Sequence, residues 1–470
     1  MNLTPQSSCL EQLKDNASFR DPAGFIFHQN GEVFRYVSSD FSTKYRSFRN
    51  SKLYTSLVEK GYLVSSEEIA EETTPQGTTL ITKPTKIPFV SYPSEWTFSQ
   101  LKEAAKLTLE IQSMCLKHNM SLKDASVYNV QYIGSQPIFI DTLSFEPWQG
   151  KLPWKAYRQF CQHFLAPLTL SSYCDVRLHS LYTSHLDGIP LDLAKRLLPF
   201  KSYLHPSRFL HLWLHETFQQ DKWAKKATQT EVESIGSVPP KSAFGLNESL
   251  HASIDSLQSK KSKSSWNTYY QGDSYNDEAF GEKKSILETM LNHLNPQTVW
   301  DLGSNDGFFT ELVSKHSKYS VAFDFDVTCL ENMYQRLRGQ NNQDILPLYL
   351  NIANPTPGIG WENKERKSLF DRGPCDLALA LAVVHHLVVT AAIPLPKIVD
   401  FFRKVSRNLI IEYVPPTDPK FQQISRSNPN DFSFFTEEYF QTTFLKSFTL
   451  VKRLPIHSSK RTIYQFQAKT

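Results

Sequence analysis

Residues Phe25–Val37 alternate apolar and polar positions around Asn30-Gly31. Both turn residues tolerate the positive φ of a two-residue turn, so the first element expected is a β-hairpin. A polar helical stretch near Tyr54–Tyr62 and a β-like segment Thr79–Val90 come next. From Thr97 to His118, Leu101, Ala104, Ala105, Thr108, Ile111 and Cys115 share one helical face. Thr97 and Gln100 stand where a capping box would start that helix. Two short strands, Val127–Tyr132 and Pro137–Ile140, flank Gly134-Ser135. Trp154–Trp223 reads as mostly helical, with breaks at Pro167, Pro190, Pro199 and Pro206.

The pattern changes between about Lys225 and Ser265, where Ser, Lys and Thr dominate and Val238-Pro239-Pro240 interrupts the chain. This predicts a linker over 225–265 with one short helix near Leu246–Leu257. Beyond it strands and helices alternate. The expected order is helix Gly281–Leu294, strand Val299–Leu302, helix Phe308–Ser317, strand Ser320–Phe323, helix Val327–Gly339 and strand Ile345–Leu350. Strand Asp376–Ala382, helix Leu395–Val405, strand Asn408–Tyr413, helix Thr436–Phe444 and a closing hairpin (Phe448–Leu454, Thr462–Gln467) complete it. Short apolar strands between amphipathic helices predict a parallel sheet covered on both faces, with an antiparallel edge added by the hairpin. The fold class expected is α/β for 266–470, behind an α+β domain spanning 1–224.

Composition changes this picture little. The 470 residues are 40% apolar and 21% charged, with 13% aromatics suited to large cores. A net charge of +4 with scattered basic residues neither supports nor excludes a nucleic-acid partner. Cys9, Cys115, Cys161, Cys174, Cys329 and Cys375 form no Cys-x-x-Cys pair and no Cys/His ligand spacing, so structural thiols are expected and no metal. The polar first residues lack a hydrophobic signal core, and the charge-free run Leu377–Pro396 reads as a buried strand and loop, so a cytoplasmic protein without a membrane partner is expected.

The chemistry concentrates in Val299–Phe309, a strand that ends in a tight loop and feeds into a helix. Gly303 removes Cβ where the backbone turns and a ligand must come close. Gly307 permits the following helix to pack against the sheet. Asn305, between them, tolerates left-handed φ better than other residues with a side chain. Asp301 ends the strand, at the edge where open α/β sheets bind ligands. Asp324 ends the next strand, 21 residues after Gly303, where an acid can hold both ribose hydroxyls. A dinucleotide loop would read Gly-x-Gly-x-x-Gly and face a pyrophosphate. This loop reads Gly303-x-x-x-Gly307 with Asp306 at the helix start, which repels phosphate and suits a cationic sulfonium.

DLGSNDG, AFDFD, CDLALALAVVHHL and NLIIEYVPPTDP, in that order, resemble motifs I, II, IV and V of class I methyltransferases, over roughly Trp266–Thr470. The whole chain resembles a bacterial family of two-part methyltransferases, some of them nodulation-related, in RDPAGF, DASVYNVQY, PIFIDTLSF, GWENKERKSL and HHL. The resemblance implies a Rossmann-like seven-stranded sheet and S-adenosylmethionine as cofactor. It places Asp301, Gly303 and Ser304 near the methionine part, Asp324 at the ribose and Phe325 against the adenine. Asn351 and Ile352 would sit at the adenine edge, with Asn in place of the Asp of many relatives. Leu381, Ala382 and Val383 would lie close to the transferring methyl.

Methyl transfer needs alignment and a water-poor site, and a base only where the acceptor must lose a proton. His386 and His385, past the fourth strand, and Glu412, ending the fifth, are the candidates, with Tyr413 and Asp418 behind them. No Asn-Pro-Pro-Tyr or Asp-Pro-Pro-Tyr follows the fourth strand, which argues against nitrogen acceptors of that type. Cys375 precedes the strand that a cytosine-C5 nucleophile would follow, so it is expected to be structural. Upstream, Asp124, Asn129 and Asp141 stand at spacings that resemble the catalytic loop and metal-binding Asp of kinase-like folds. No Gly-rich loop and no strand lysine with a helix glutamate accompany them, so a degenerate kinase-like or unrelated recognition domain is expected. The function expected is methyl transfer to an unidentified small-molecule or protein acceptor. An RNA methyltransferase and a non-catalytic cofactor-binding regulator are the alternatives.

Overall fold

A computed structural model of the chain describes residues 10, 13–75, 77–150, 154–214, 240–260, 277–292, 294–426 and 428–469. The chain forms two compact units, the first made of Met1–Tyr132, Pro137–Lys260 and Ile359–Arg366, the second of Ile133–Gln136, Lys261–Gly358 and Lys367–Thr470.

In the first unit the expected hairpin is β1 (Gly24–Gln29) and β2 (Glu32–Val37). Asn30 and Gly31 have φ of 53° and 78°, as a turn that follows the strand twist requires. β3 (Ser66–Thr74) and β4 (Gly77–Pro84) complete an antiparallel sheet in the order β1-β2-β4-β3. The helix Ser39–Arg49, which the sequence reading missed, follows β2, and the helix Lys52–Glu59 precedes β3. The helix Phe98–Lys117 starts on the expected capping box, with Thr97 accepting from the Gln100 N–H and Gln100 accepting from the Thr97 N–H. β5 (Met120–Leu122) pairs with β8 (Phe145–Pro147), and between them β6 (Val130–Ile133) pairs with β7 (Gln136–Phe139).

Residues 240–255 are no linker: the helix Pro240–Asp255 packs on Phe98–Lys117, burying Leu250 and Ile254, while the buried Asn247 amide donates to the Leu109 carbonyl at 3.0 Å. Their apolar positions at helical spacing outweigh the polar composition. The remaining expected linker, 225–239 and 261–265, lies outside the described residues, as do Cys9 and Trp266, where the second domain was expected to begin.

The second unit carries a seven-stranded sheet of β9 (Thr298–Leu302), β10 (Tyr319–Asp324), β11 (Ile345–Tyr349), β12 (Cys375–Ala380), β13 (Ser406–Tyr413), β14 (Phe448–Pro455) and β15 (Thr462–Ala468). Their order is β11-β10-β9-β12-β13-β15-β14, parallel from β11 to β13 and antiparallel at β15 and β14. This is the seven-stranded sheet with a terminal antiparallel hairpin that the resemblance to class I methyltransferases implied. β10 is buried at every position, and its apolar run Val321–Phe323 follows from that burial. The order reverses between β9 and β12, and ligand sites of open α/β sheets form at such a switch point. Leu377–Pro396 is β12, a loop and the six-residue helix Val384–Val389. Among the described residues no helix is long and apolar enough to cross a membrane, and no three His, Cys, Asp or Glu are grouped to hold a metal.

Candidate active site

β9 ends in a turn built by three residues with positive φ: Gly303 (95°), Asn305 (50°) and Gly307 (86°). The Gly303 and Ser304 N–H groups both donate to the Phe323 carbonyl, at 2.8 and 2.9 Å, and so fasten the turn to β10. A Cβ on Gly303 would lie 2.4 Å from a Val383 methyl. A Cβ on Gly307, the residue capping the helix Phe308–Ser314, would lie 2.7 Å from Cε of Met333. The second glycine therefore clears the helix Val327–Gly339 rather than the sheet.

Two carboxylates lie under this turn. Asp301 is buried, accepting from the Thr310 hydroxyl at 2.6 Å. Asp324 accepts the Asn305 and Asp326 N–H groups, one on each oxygen, both at 2.8 Å. Burial pushes each up to about 6, and the Asp324 charge raises Asp301 further. The Ser304 hydroxyl is buried without a hydrogen-bond partner.

A cavity of about 900 Å³ opens beside the turn at the C-terminal edge of the parallel strands. Of the residues expected from the sequence, Gly303, Asn305, Asp324, Phe325, Asn351, Ile352, Leu381, Ala382 and His386 line it. Asp301, Ser304, Gly307, His385 and Glu412 are not on its described wall. Ala382 takes φ of 56°, a strained conformation for a residue with a side chain, where the chain leaves β12.

The three base candidates separate. His385 is buried, stacks on Phe421 and leaves both ring nitrogens without partners. Burial, then the charges of His386, Arg461 and Lys283, hold it well below the usual histidine range. His386 faces the cavity and is pushed down to about 4 by burial and by Arg461, so it is neutral at pH 7. Glu412 is fully buried between two cations, 2.6 Å from Lys283 Nζ and 3.2 Å from Arg461 Nη1. Arg461 in turn holds Asp418 through two bonds, at 2.8 and 3.1 Å. Lys283, on the helix Asp277–Leu291, lines the cavity and was not singled out from the sequence.

In the first unit, Asp124, Asn129 and Asp141 do come together. The Asp124 carboxyl is raised by burial and by the Asp141 charge, while the Asn129 side-chain Nδ2 is buried without a hydrogen-bond partner. Asp141 accepts from Arg35 Nη1 at 2.7 Å and from the Ser144 hydroxyl. Although burial pushes Asp141 up, the Arg35 charge and these bonds hold it below the usual carboxylate range. Arg35, on β2, is thus the cation that pairs with Asp141. Removing it strands a largely buried carboxylate. Arg35→Ala is expected to cost the first unit about 3 kcal/mol in urea unfolding, with Arg35→Lys recovering part of it.

No protein-family model matches the chain. Among solved structures, the N-methyltransferase NodS from Bradyrhizobium japonicum WM9 in complex with S-adenosyl-l-homocysteine aligns at 14% identity and TM-score 0.32, over 44% of this chain and 100% of that one. WbdD aligns at 20% identity and TM-score 0.29, over 43% of this chain and 42% of that one. Nodulation protein NoeA of Rhizobium meliloti (strain 1021) is 32% identical over 461 residues, covering 96% of this chain and 95% of that protein. Identity sustained across nearly the whole of both chains places this one in the NoeA family of nodulation proteins.

Proposed function

We propose that the second unit binds S-adenosylmethionine and transfers its methyl group, with the first unit contributing acceptor recognition. The observation that carries the reading is the pairing of two buried acids with a turn whose glycine admits no Cβ, beside a cavity large enough for a nucleoside and an acceptor. The residues fit the cofactor's groups. Each Asp324 oxygen keeps a lone pair for a ribose hydroxyl, and Phe325 offers an exposed ring to the adenine. Asn351 can pair with the adenine edge. Ser304, with its unpartnered hydroxyl, and Asp301 would serve the amino-acid part from within the turn, behind the described cavity wall. Lys283 on the wall would meet the cofactor's carboxylate.

The cofactor supplies a methyl group on a sulfonium, already activated for displacement. The chain's task is alignment, through the Gly303–Gly307 turn and the Asp324 clamp, and exclusion of water by Ile352, Leu381 and Val383. Isothermal titration of the full chain with S-adenosylmethionine tests the reading, and no binding sinks it.

The raised carboxyls give a pH dependence. Asp301 and Asp324 attract a cationic ligand only when ionised, and both protonate near pH 6. Affinity is therefore expected to be flat above pH 7 and to fall about tenfold per unit below 6 for each proton that must leave. Asp324→Asn should flatten part of that slope in the same titrations.

A further inference from the structure

Resting on the methyltransferase reading, we infer that the acceptor is an uncharged, largely apolar molecule methylated on a hydroxyl oxygen, with His386 taking the hydroxyl proton. The wall beyond the cofactor residues is mostly apolar, with Leu387, Val389, Ala391, Ile424 and Pro429, and its polar members Thr390 and Asn428 are uncharged. The Asn428 amide donates to the Val389 carbonyl at 2.8 Å, tying the segment after Ile424 to the helix Val384–Val389. His386 is on that helix, and its N–H donates to the Val383 carbonyl at 3.0 Å. Val383 is the residue whose methyl closes on Gly303. The imidazole is thus carried one turn from the contact that joins acceptor wall to cofactor turn.

Charge decides the acceptor class. Among the described lining residues the acidic side chain is Asp324, given to the ribose, so no carboxylate remains for an ammonium. The cation is Lys283, held by Glu412 and placed at the cofactor's carboxylate, so an anionic acceptor would be buried among apolar groups. Among the groups around the imidazole are His385, with ring centroids 4.2 Å apart, and the Arg461 charge. Both favour the neutral ring.

The proton balance selects oxygen. The acceptor oxygen's lone pair forms the O–C bond as the C–S bond breaks, and that electron pair stays on sulfur as a thioether. The hydroxyl proton becomes strongly acidic as the bond forms, so it passes downhill even to a weakly basic imidazole. An amine acceptor needs no such base, because its methylated product can leave as the ammonium with its proton retained, so a neutral imidazole on the wall serves a hydroxyl.

Three probes of one shape test this with the full-length protein: 1-naphthylmethanol, 1-naphthylmethylamine and 1-naphthoate. Their binding is followed by fluorescence in the presence of S-adenosylhomocysteine, and methyl transfer with labelled cofactor. The alcohol is expected to bind at least tenfold more tightly than either ion and to be the probe labelled. His386→Ala and His386→Gln should keep cofactor affinity and alcohol binding while lowering transfer about 100-fold. Tighter binding or labelling of the amine or carboxylate overturns the inference, as does binding of none of the three, or wild-type transfer by both variants. Cofactor titration separates the two levels. A protein that binds no cofactor loses the methyltransferase reading itself, whereas one that binds cofactor and prefers an ion loses this inference alone.

Discussion

Asp324→Ala should raise the dissociation constant for S-adenosylmethionine by at least about 100-fold, because it removes two charge-assisted hydrogen bonds of about 1.5–3 kcal/mol each. A second effect adds to the first. The same carboxylate receives the Asn305 N–H, and without it the turn loses a tie that holds Asn305 at positive φ. Asp324→Asn keeps an acceptor for that N–H and gives up only the charge and the bidentate grip, so it should fall between wild type and Ala. Unfolding separates this from a general loss of structure. Burial disfavours the Asp324 anion while the Asn305 and Asp326 N–H groups favour it, so replacing it should change the ligand-free unit's stability by no more than about 1–3 kcal/mol and leave it folded. An unchanged affinity in the Ala variant would remove Asp324 from the cofactor site.

Why this acid could be found in the sequence, and others could not, follows from what fixes each position. Asp324 ends a strand with no exposed residue, so the apolar run Val321–Phe323 marks both the strand and its end. The turn before it announces itself through glycine, because its backbone allows little else at Gly303 and Gly307. The strands of the parallel sheet were legible for the same reason. β3 was not: Ser66–Thr74 carries four glutamates and sits at the sheet edge, where one partner strand and solvent make weak demands on side chains. The helix Ser39–Arg49 buries only Ser42, Tyr45 and Phe48, too sparse a stripe to stand out. Lys283 and Arg35 were hidden differently. Their burial comes from distant chain, through Glu412 and Asp141, and nothing in the local sequence records a partner more than 100 residues away. His385 and His386 are neighbours in sequence with the same local pattern, yet only the second reaches the cavity. That distinction belongs to packing alone.

Glu412 tests the opposite assignment, since the sequence reading placed it beside the substrate. Its carboxylate is fully buried, with Lys283 on one oxygen and Arg461 on the other. Glu412→Ala would leave Lys283 buried without its carboxylate, although Asp418 still holds Arg461. Losing one partner from a buried ionic network costs about 3–5 kcal/mol. For a unit of roughly 200 residues each kcal/mol corresponds to about 2–4 °C, so the melting transition of the second unit should fall by about 6–20 °C. Lys283 offers the check. Burial already lowers its pKa, so with Glu412 gone the amine can shed its proton, and part of the loss should return as pH rises. The double variant Lys283→Met/Glu412→Met removes the ion pair as a unit and should recover much of the stability, while losing affinity for the cofactor if Lys283 meets its carboxylate. A Glu412→Ala protein that melts like wild type and fails only in methyl transfer would return Glu412 to the substrate. The geometry favours the first outcome, because both oxygens are already occupied and neither belongs to the described wall of the cavity.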